Sequence, residues 1–501
     1  MVPFLLASLS GVLLVLSFPN YGHPGVAWLA LAPLIFVIAS VSTWQAAWLG
    51  LLVGTIHFLG TIYWIPTVMV EYGGLPVAIS WLVYAAFVLY LALFPCLFAV
   101  MLSVIVGRVG ALGLLVAPAV WVTTELGRMY LFTGFPWALL GYSQVPFLAV
   151  AQAASVVGVL GVSALVVSTS AVTAYVLTAG FRRSRLPVAV VTLVVGGTIV
   201  AGAWRVQQAK LVTEGVELRV AALQGNVAQD DKWNPLKSEE ILSTYVRQSE
   251  AASEFGAQLI IWPEAATPFP FATDPRGERI QSLAARLDGH LLIGTTEIEV
   301  DEIEEQSRYY NSAYMLDQAG ETAGVYRKQH LVPFGEYVPF REALFFISPL
   351  VETVADFSPG AGPQILRLDD HGISAAICYE IIYPSLVREL VLSGASLITT
   401  LTNDAWYGRS AAPYQHFQQA RMRAIEQGRY LVRAANTGIS AVVDPYGRVL
   451  ARSRLFEQAV VYENVRLLHR LTPYGHLGDL TAYLLAFVTF LTLGATRRNY
   501  K

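Results

Sequence analysis

Residues 373–384 read Ile373-Ser374-Ala375-Ala376-Ile377-Cys378-Tyr379-Glu380-Ile381-Ile382-Tyr383-Pro384. The run from Ile373 to Ile377 is small and apolar, the pattern of a buried strand. It stops at a thiol. Pro384 then marks the start of a helix, because proline suits the first helical position and stops whatever precedes it. A strand that ends on a reactive side chain and passes into a helix is one unit of an α/β layered domain. Similar short runs occur on either side, at Leu218–Leu223, Leu259–Trp262, Leu291–Gly294, Leu397–Thr400, Ser440–Val443 and Ala459–Tyr462. Stretches of mixed polarity at 238–255, 275–287 and 414–428 read as helices between them. Strands alternating with helices support the α/β assignment. No internal repeat or low-complexity linker stands out.

This pattern covers only part of the chain. Of 501 residues, 55% are hydrophobic and 14% charged, against about a quarter charged in a soluble domain. The average hides two unlike parts that meet near residue 205. Before Trp204 the only Asp, Glu, Lys or Arg residues are Glu71, Arg108, Glu125, Arg128, Arg182, Arg183 and Arg185. A membrane-crossing helix needs about 20 mostly apolar residues. Candidate spans lie at roughly 2–18, 25–41, 45–65, 76–104, 110–127, 147–179 and 187–204, and an eighth at 478–496. The runs at 76–104 and 147–179 exceed the need, so tilt, a kink at Pro95 or an interfacial end is expected. The first run has no basic start and no small-x-small cleavage site, so it reads as a retained helix and not a signal peptide. Domain boundaries follow: a seven-helix membrane domain over 1–204, a water-facing domain over 216–465 and a C-terminal transmembrane helix over 478–496.

Basic residues in short loops give the orientation. Arg108, the group Arg182, Arg183 and Arg185, and the group Arg497, Arg498 and Lys501 all fall on the cytoplasmic side if the N-terminus is cytoplasmic. Seven crossings then deliver 205–475, and Glu71, to the opposite face. Glu125 and Arg128 stand three residues apart on one helical face. They read either as a mutually neutralising pair or as the wall of a lipid cavity, since ionisable groups at membrane depth are often functional.

Three positions at strand ends carry chemistry. Glu264 follows Leu259–Trp262 and the strand-stopping Pro263; Cys378 follows Ile373–Ile377; Lys328 ends the run Val325-Tyr326-Arg327. Taken singly, each has a plain alternative: a solvated Glu, an inert buried thiol, a solvated Lys. Taken together they supply a nucleophile, a proton acceptor and a stabiliser of a tetrahedral oxyanion, the needs of acyl transfer through cysteine. A thiol at a strand-to-helix turn also feels the helix N-terminal field, which favours thiolate. The other cysteine, Cys96, lies in an apolar run, so no disulfide framework exists.

The segments Trp262-Pro263-Glu264-Ala265, Tyr326–Pro339 and Ile377-Cys378-Tyr379-Glu380 carry a resemblance. So do Gln224-Gly225-Asn226 with Trp233, Thr402–Gly408, Arg421–Glu426, Gly134–Trp137 and Gly141–Gln144. Through them the chain resembles the nitrilase, or carbon–nitrogen hydrolase, superfamily, and more closely its membrane-bound apolipoprotein N-acyltransferase family. The resemblance spans essentially the whole chain. It implies a multi-span α-helical membrane domain plus an α/β nitrilase-like α-β-β-α sandwich. It carries over Glu264 as general base, Lys328 as oxyanion stabiliser, Cys378 as nucleophile and Glu336 as a carboxylate that positions Lys328 or shares its proton work. Trp233, Asn311, Tyr379 and Glu380 are expected around the pocket. The implied reaction moves an acyl chain from a phospholipid donor, through a Cys378 thioester, to the α-amino group of a diacylglyceryl-cysteine on an apolipoprotein acceptor. The implied place is the bacterial inner membrane, with the catalytic domain facing the periplasm and the chain acting as a monomer.

Two other classes share some of these features. A membrane-tethered amidase or nitrilase acting on a small amide or nitrile would use the same three residues, but has no need of eight spans. A transporter or receptor with a dead sensor domain would not keep Glu264, Lys328 and Cys378 intact. There is no Gly-x-Ser-x-Gly elbow, Walker loop or His-Glu-x-x-His. His330 and His416 read as hydrogen-bonding residues. Trp406, Tyr407 and Tyr414 read equally as core or as pocket lining. No metal or cofactor is implied, and no basic patch with interleaved aromatics points to nucleic acid.

Overall fold

The computed structural model describes residues 1–301, 306–337 and 356–495. Arg497, Arg498 and Lys501, and residues 338–355, which include Val338 and Pro339 of the quoted Tyr326–Pro339 motif, lie outside the described residues. The chain divides into two compact units. One comprises Met1–Pro66, Pro76–Gln208 and the segment from Thr472 onward; the other comprises Thr67–Leu75 and Ala209–Leu471.

The first unit is helical, which satisfies the backbone of apolar segments internally. The 57-residue helical stretch Val77–Thr133 doubles back at Gly110, whose φ is +72°. Phe98 on the first leg meets Trp121 on the second at 5.2 Å, and the Tyr90 hydroxyl donates to the Leu131 carbonyl at 3.2 Å. The runs at 76–104 and 110–127 are therefore antiparallel legs of a hairpin. The helix Val77–Val109 continues through Pro95. The irregularity in the run 147–179 lies at Gly158 (φ +68°). Small residues let backbones approach closely, the usual way apolar helices pack in lipid. A Cβ on Gly54 of the helix Thr43–Thr61 would stand 2.6 Å from Ala92 Cα.

Among the described residues, three helical stretches are long and apolar enough to cross a membrane, and up to four if the bent pair Thr43–Thr61 with Ile65–Glu71 (52°) is one span. Val2–Leu16, Pro24–Ile38 and Leu480–Ala495 are apolar but shorter than the about 20 residues a span needs. The apolar runs in the sequence are longer than the helices because they include turn residues such as Ser17 and Phe18. Glu125 and Arg128 are both buried on the helix Ala117–Tyr130. Arg128 donates to the carbonyls of Phe135 and Trp137 at 3.1 and 2.5 Å, and Glu125 accepts from the Leu140 N–H at 2.7 Å. Both hold the backbone that follows the helix, and the two charges also attract one another.

The second unit holds two six-stranded sheets. In the first, β12 (Ala459–Leu467) pairs antiparallel with β1 (Val216–Gln224), β1 runs parallel to β2 (Leu259–Ile261) and β2 to β3 (His290–Asp301). β4 (Gln306–Leu316) and β5 (Thr322–Arg327) then continue antiparallel. In the second, β6 (Leu366–Leu368) pairs antiparallel with β7 (His371–Ile377), β7 runs parallel to β8 (Ala395–Thr402) and β8 to β9 (Leu431–Ala435). β10 (Ala441–Val443) and β11 (Val449–Arg452) continue antiparallel. The two sheets thus share one plan: an antiparallel edge, three parallel strands and an antiparallel pair. This repeat exists in connectivity and is not visible in sequence. The sheets face one another through β1 with β9 and β4 with β7. The helices Ser238–Glu254 and Gly277–Ala284 pack on the first sheet around Tyr245, Trp262, Ile280 and Leu283. The helices Pro384–Leu392 and Ala412–Gln427 pack beside the second. This is the α-β-β-α sandwich expected. The carboxyl ends of β2 and β7 carry Glu264 and Cys378, the usual position for ligand-binding residues in parallel sheets.

β4 and β9 go unread in the sequence, since Arg308-Tyr309-Tyr310-Asn311-Ser312 and Val432-Arg433-Ala434 present no clean apolar run. Ladder pairing and burial override propensity there. Gly54→Leu should wedge apart the helices Thr43–Thr61 and Val77–Val109. An overpacking cost of about 1–3 kcal/mol should appear as a lower thermal midpoint of the detergent-solubilised protein.

Candidate active site

Glu264 is held just past β2, where Pro263 ends the strand and Ala265 takes a left-handed φ of 44°. Its carboxylate is buried, 7% exposed. Oε1 accepts from Asn311 Nδ2 at 2.8 Å and lies 3.6 Å from Lys328 Nζ. Oε2 is buried and accepts no hydrogen bond among the described residues. A carboxylate with one oxygen fixed and the other open is placed to take a proton.

Lys328 follows β5 and is 1% exposed. Its main-chain N–H donates to the Asn311 carbonyl at 2.9 Å, fixing the turn to β4. Nζ donates to Glu336 Oε1 at 2.8 Å. Burial by itself favours loss of the proton, but Glu336 and Glu264 outweigh it and hold the ammonium above its ordinary value. Glu336 is fully used: Oε1 accepts from Lys328 and, at 2.9 Å, from Asn311 Nδ2, while Oε2 accepts from the Val332 N–H at 2.8 Å. The Asn311 amide therefore spans both carboxylates.

Cys378 follows β7 in a left-handed conformation, φ 50°, and is buried. Burial first and the Glu264 carboxylate second push its thiol well above the ordinary range, with Lys328 only partly opposing them. This corrects the expectation of a thiolate favoured by a helix N-terminus. The residues after the sulfur form a short 3-10 stretch, Cys378–Ile382, and the helix proper begins only at Pro384. The resting sulfur is therefore held as a thiol.

Glu380 sits behind the site, fully buried. Oε2 accepts from the Ile377 N–H at 2.6 Å; Oε1 accepts from the Gln329 N–H at 2.7 Å, the His330 N–H at 3.2 Å and the Tyr326 hydroxyl at 2.9 Å. One side chain thus clamps the Cys378 turn to the Lys328 turn. Tyr379 is buried, with Tyr383 at 5.3 Å and His330 at 6.0 Å between ring centroids. Trp233 is 51% exposed on the loop after β1. Tyr407 is half-buried, and its pKa is raised by burial first and by the Cys378 charge next. Trp406 packs edge-on against Tyr72 at 5.0 Å, and Tyr414 is exposed.

One group escapes the sequence reading, and a second, His416, has the hydrogen-bonding role read for it but at the Cys378 turn. Lys232, beside Trp233, is buried and donates to the main-chain oxygen of Glu264 at 2.9 Å. His416 donates through Nε2 to the Cys378 carbonyl at 3.1 Å, since a carbonyl can only accept. Its Nδ1 lies 3.0 Å from Asp404, which Arg433 also holds at 2.5 Å. Neither stands at the end of an apolar run, and a lysine next to Asp230 and Asp231 reads as solvated. Among the described residues no cluster of three or more His, Cys, Asp or Glu side chains is placed to hold a metal.

Comparison with known proteins adds the following. Residues 219–469 match the carbon-nitrogen hydrolase family, and residues 10–172 match the apolipoprotein N-acyltransferase N-terminal domain. The chain is 39% identical over 485 residues to an apolipoprotein N-acyltransferase of Geobacter metallireducens, covering 96% of this chain and 92% of that protein. It is 38% identical to one of Methylococcus capsulatus, covering 100% of this chain and 97% of the relative.

Glu380→Gln would replace one acceptor oxygen by a donor and leave buried N–H groups unpaired. Unfolding of the purified protein should show a loss of about 1–3 kcal/mol, with the Cys378 turn loosened even though no group of the Glu264–Lys328 pair is altered.

Proposed function

The chain belongs to the apolipoprotein N-acyltransferase family, and on that premise we propose how its residues carry an acyl chain from a phospholipid to an apolipoprotein. Cys378 Sγ attacks the ester carbonyl carbon of the donor while its proton passes to Glu264 Oε2. The carbonyl oxygen becomes an oxyanion that the Lys328 ammonium stabilises. Collapse of this intermediate breaks the bond to the glycerol oxygen, which leaves as a lysophospholipid after taking the proton from Glu264. Cys378 then holds the acyl chain as a thioester. In the second half the α-amine of a diacylglyceryl-cysteine attacks the thioester carbon and gives a proton to Glu264. The sulfur leaves, takes that proton back, and the chain is delivered as an amide.

The observation that carries this reading is the open oxygen of Glu264. Oε1 is committed to Asn311 and Lys328, whereas Oε2 is buried and uncommitted. A buried thiol whose resting proton is firmly held needs such an acceptor. Glu336 keeps Lys328 charged and in place, and so takes the positioning role. Asn311 holds both carboxylates, and Tyr379 and Trp233 complete the surroundings.

The lipid substrates give the apolar unit its purpose. Exposing each CH2 of an acyl chain to water costs about 0.8 kcal/mol, so donor and acceptor stay in the bilayer. An amidase for small soluble substrates would have no such need. We assign the chain to the bacterial inner membrane as a monomer with eight crossings, with the boundaries 1–204, 216–465 and 478–496 and the catalytic domain facing the periplasm. The basic groups at Arg108 and Arg182–Arg185 support that orientation.

N-acylation of a synthetic diacylglyceryl-cysteine peptide tests the roles separately. Cys378→Ala should abolish amide formation while the protein still inserts; retained activity would refute the nucleophile. Glu264→Gln should lower the rate by about 10²–10⁴-fold, and wild-type turnover would remove it as base. Lys328→Met should cost about 10²–10³-fold in kcat; unchanged kinetics would take it out of the set.

A further inference from the structure

The charges gathered around Cys378 do not balance if only the three catalytic residues and Glu336 are counted. Glu264 and Glu336 are two buried carboxylates, and Lys328 is one ammonium. That ammonium lies closer to Glu336, at 2.8 Å, than to Glu264, at 3.6 Å. Glu264 is then left as the less well paired of the two, and a buried charge without a partner is strongly unfavourable. Lys232 corrects the count. It is 4% exposed, and its Nζ donates to the Glu264 carbonyl oxygen at 2.9 Å. Among the described residues it forms no ion pair with Asp230 or Asp231 beside it in sequence. Its side chain turns inward, away from the exposed Trp233.

The loop that carries it is fixed independently. Asn436 Nδ2 donates to the Val227 carbonyl at 2.8 Å, and Asn403 Nδ2 donates to Gln229 Oε1 at 2.7 Å. The lysine is therefore delivered to the turn after β2 by a braced segment.

We propose that Lys232 is a further charged member of the site, a positioning cation that seats the Glu264 turn and balances that carboxylate while the Cys378 proton is transferred. The inference rests on the roles of Cys378 and Glu264 given above. Asp404 nearby is paired with Arg433, and Glu380 is held by backbone N–H groups; with Lys232 charged, two ammonium groups then face Glu264 and Glu336, and moving one proton from sulfur to Glu264 as the oxyanion forms leaves the total unchanged. With Lys232 neutral, the same step proceeds in a site carrying one surplus negative charge. The groups that face its ammonium are Glu264 from the turn after β2 and Cys378 from the turn after β7. Burial brings Lys232 down to about 8, with those two groups partly opposing the drop. Its charge is therefore present at neutral pH and is lost as pH rises through about 8.

The test uses the full-length protein in mixed phosphatidylethanolamine and phosphatidylglycerol vesicles without acceptor peptide, so that no substrate amine titrates. The readout is the initial rate at which a hydroxylamine-labile acyl group forms on Cys378 across a pH series. Wild type should slow as pH rises through about 8. Lys232→Met and Lys232→Gln should both be slower by about tenfold or more, the scale of one charged hydrogen bond, and should lack that alkaline limb. The glutamine variant keeps a donor for the Glu264 carbonyl, so a purely structural role predicts that it recovers wild-type rate and profile, which would overturn the proposal. A wild-type profile without the limb would overturn it whatever the variants do. Wild type that never acquires the acyl group would sink the Cys378 assignment itself, a result distinct from an acylating wild type matched by Lys232→Gln.

Discussion

One buried ammonium held between two buried carboxylates organises this catalytic unit. Lys328 Nζ lies 2.8 Å from Glu336 and 3.6 Å from Glu264, and the Asn311 amide spans the same two carboxylates. Charges taken out of water are tolerated only when paired and hydrogen-bonded. Glu264 follows β2, Asn311 lies within β4, and Lys328 and Glu336 both follow β5, so the pairing can form only when β2, β4 and β5 are in register. Glu380 extends the constraint to the opposite sheet, joining the turn after β7 to the end of β5 and the turn after it through three accepted hydrogen bonds, while a fourth, from the Ile377 N–H, holds its own turn. The shared plan of the two sheets brings these turns together. The same connectivity, used twice, presents carboxyl-end loops from both sheets to one another.

The protonation states follow from this arrangement. Burial and the neighbouring Glu264 keep Cys378 a thiol at rest, although Lys328 is near. A resting thiolate would be exposed to oxidation and to chance electrophiles. In the proposed mechanism this thiol ionises only as its proton moves to Glu264, when a carbonyl arrives to receive the electron pair. His416 supports the same turn from behind through the Cys378 carbonyl, backed by Asp404 and Arg433.

Much of this was legible in the residues. Glu264, Lys328 and Cys378 each close an apolar or β-rich run, and a reactive side chain at a strand end is a readable signal. The α/β alternation and the apolar first part were readable from periodicity and from the scarcity of charge before residue 205. Other parts were hidden for physical reasons. Asn311 lies in a strand whose neighbours are Arg308, Tyr309 and Tyr310, so neither alternation nor an apolar run announces it. Lys232 lies among acidic loop residues, and only tertiary packing shows that its side chain is buried. The thiol's resting state depends on burial, which the short helical turn after Cys378 gave no means of weighing. Glu125 and Arg128 attract one another, as their spacing suggests, but their hydrogen bonds to the backbone that follows the helix could not be read from that spacing. Several apolar runs extend past the helices they contain, because those runs include the turns at their ends.

The central claim is that the sulfur of Cys378 carries the acyl chain. Peptide mapping by mass spectrometry of freshly purified full-length protein addresses it most directly. The peptide containing Cys378 should carry a fatty-acyl mass that neutral hydroxylamine removes and that the peptide containing Cys96 lacks. An unmodified Cys378 peptide after incubation with phospholipid, or an acyl group found on another side chain, would contradict it.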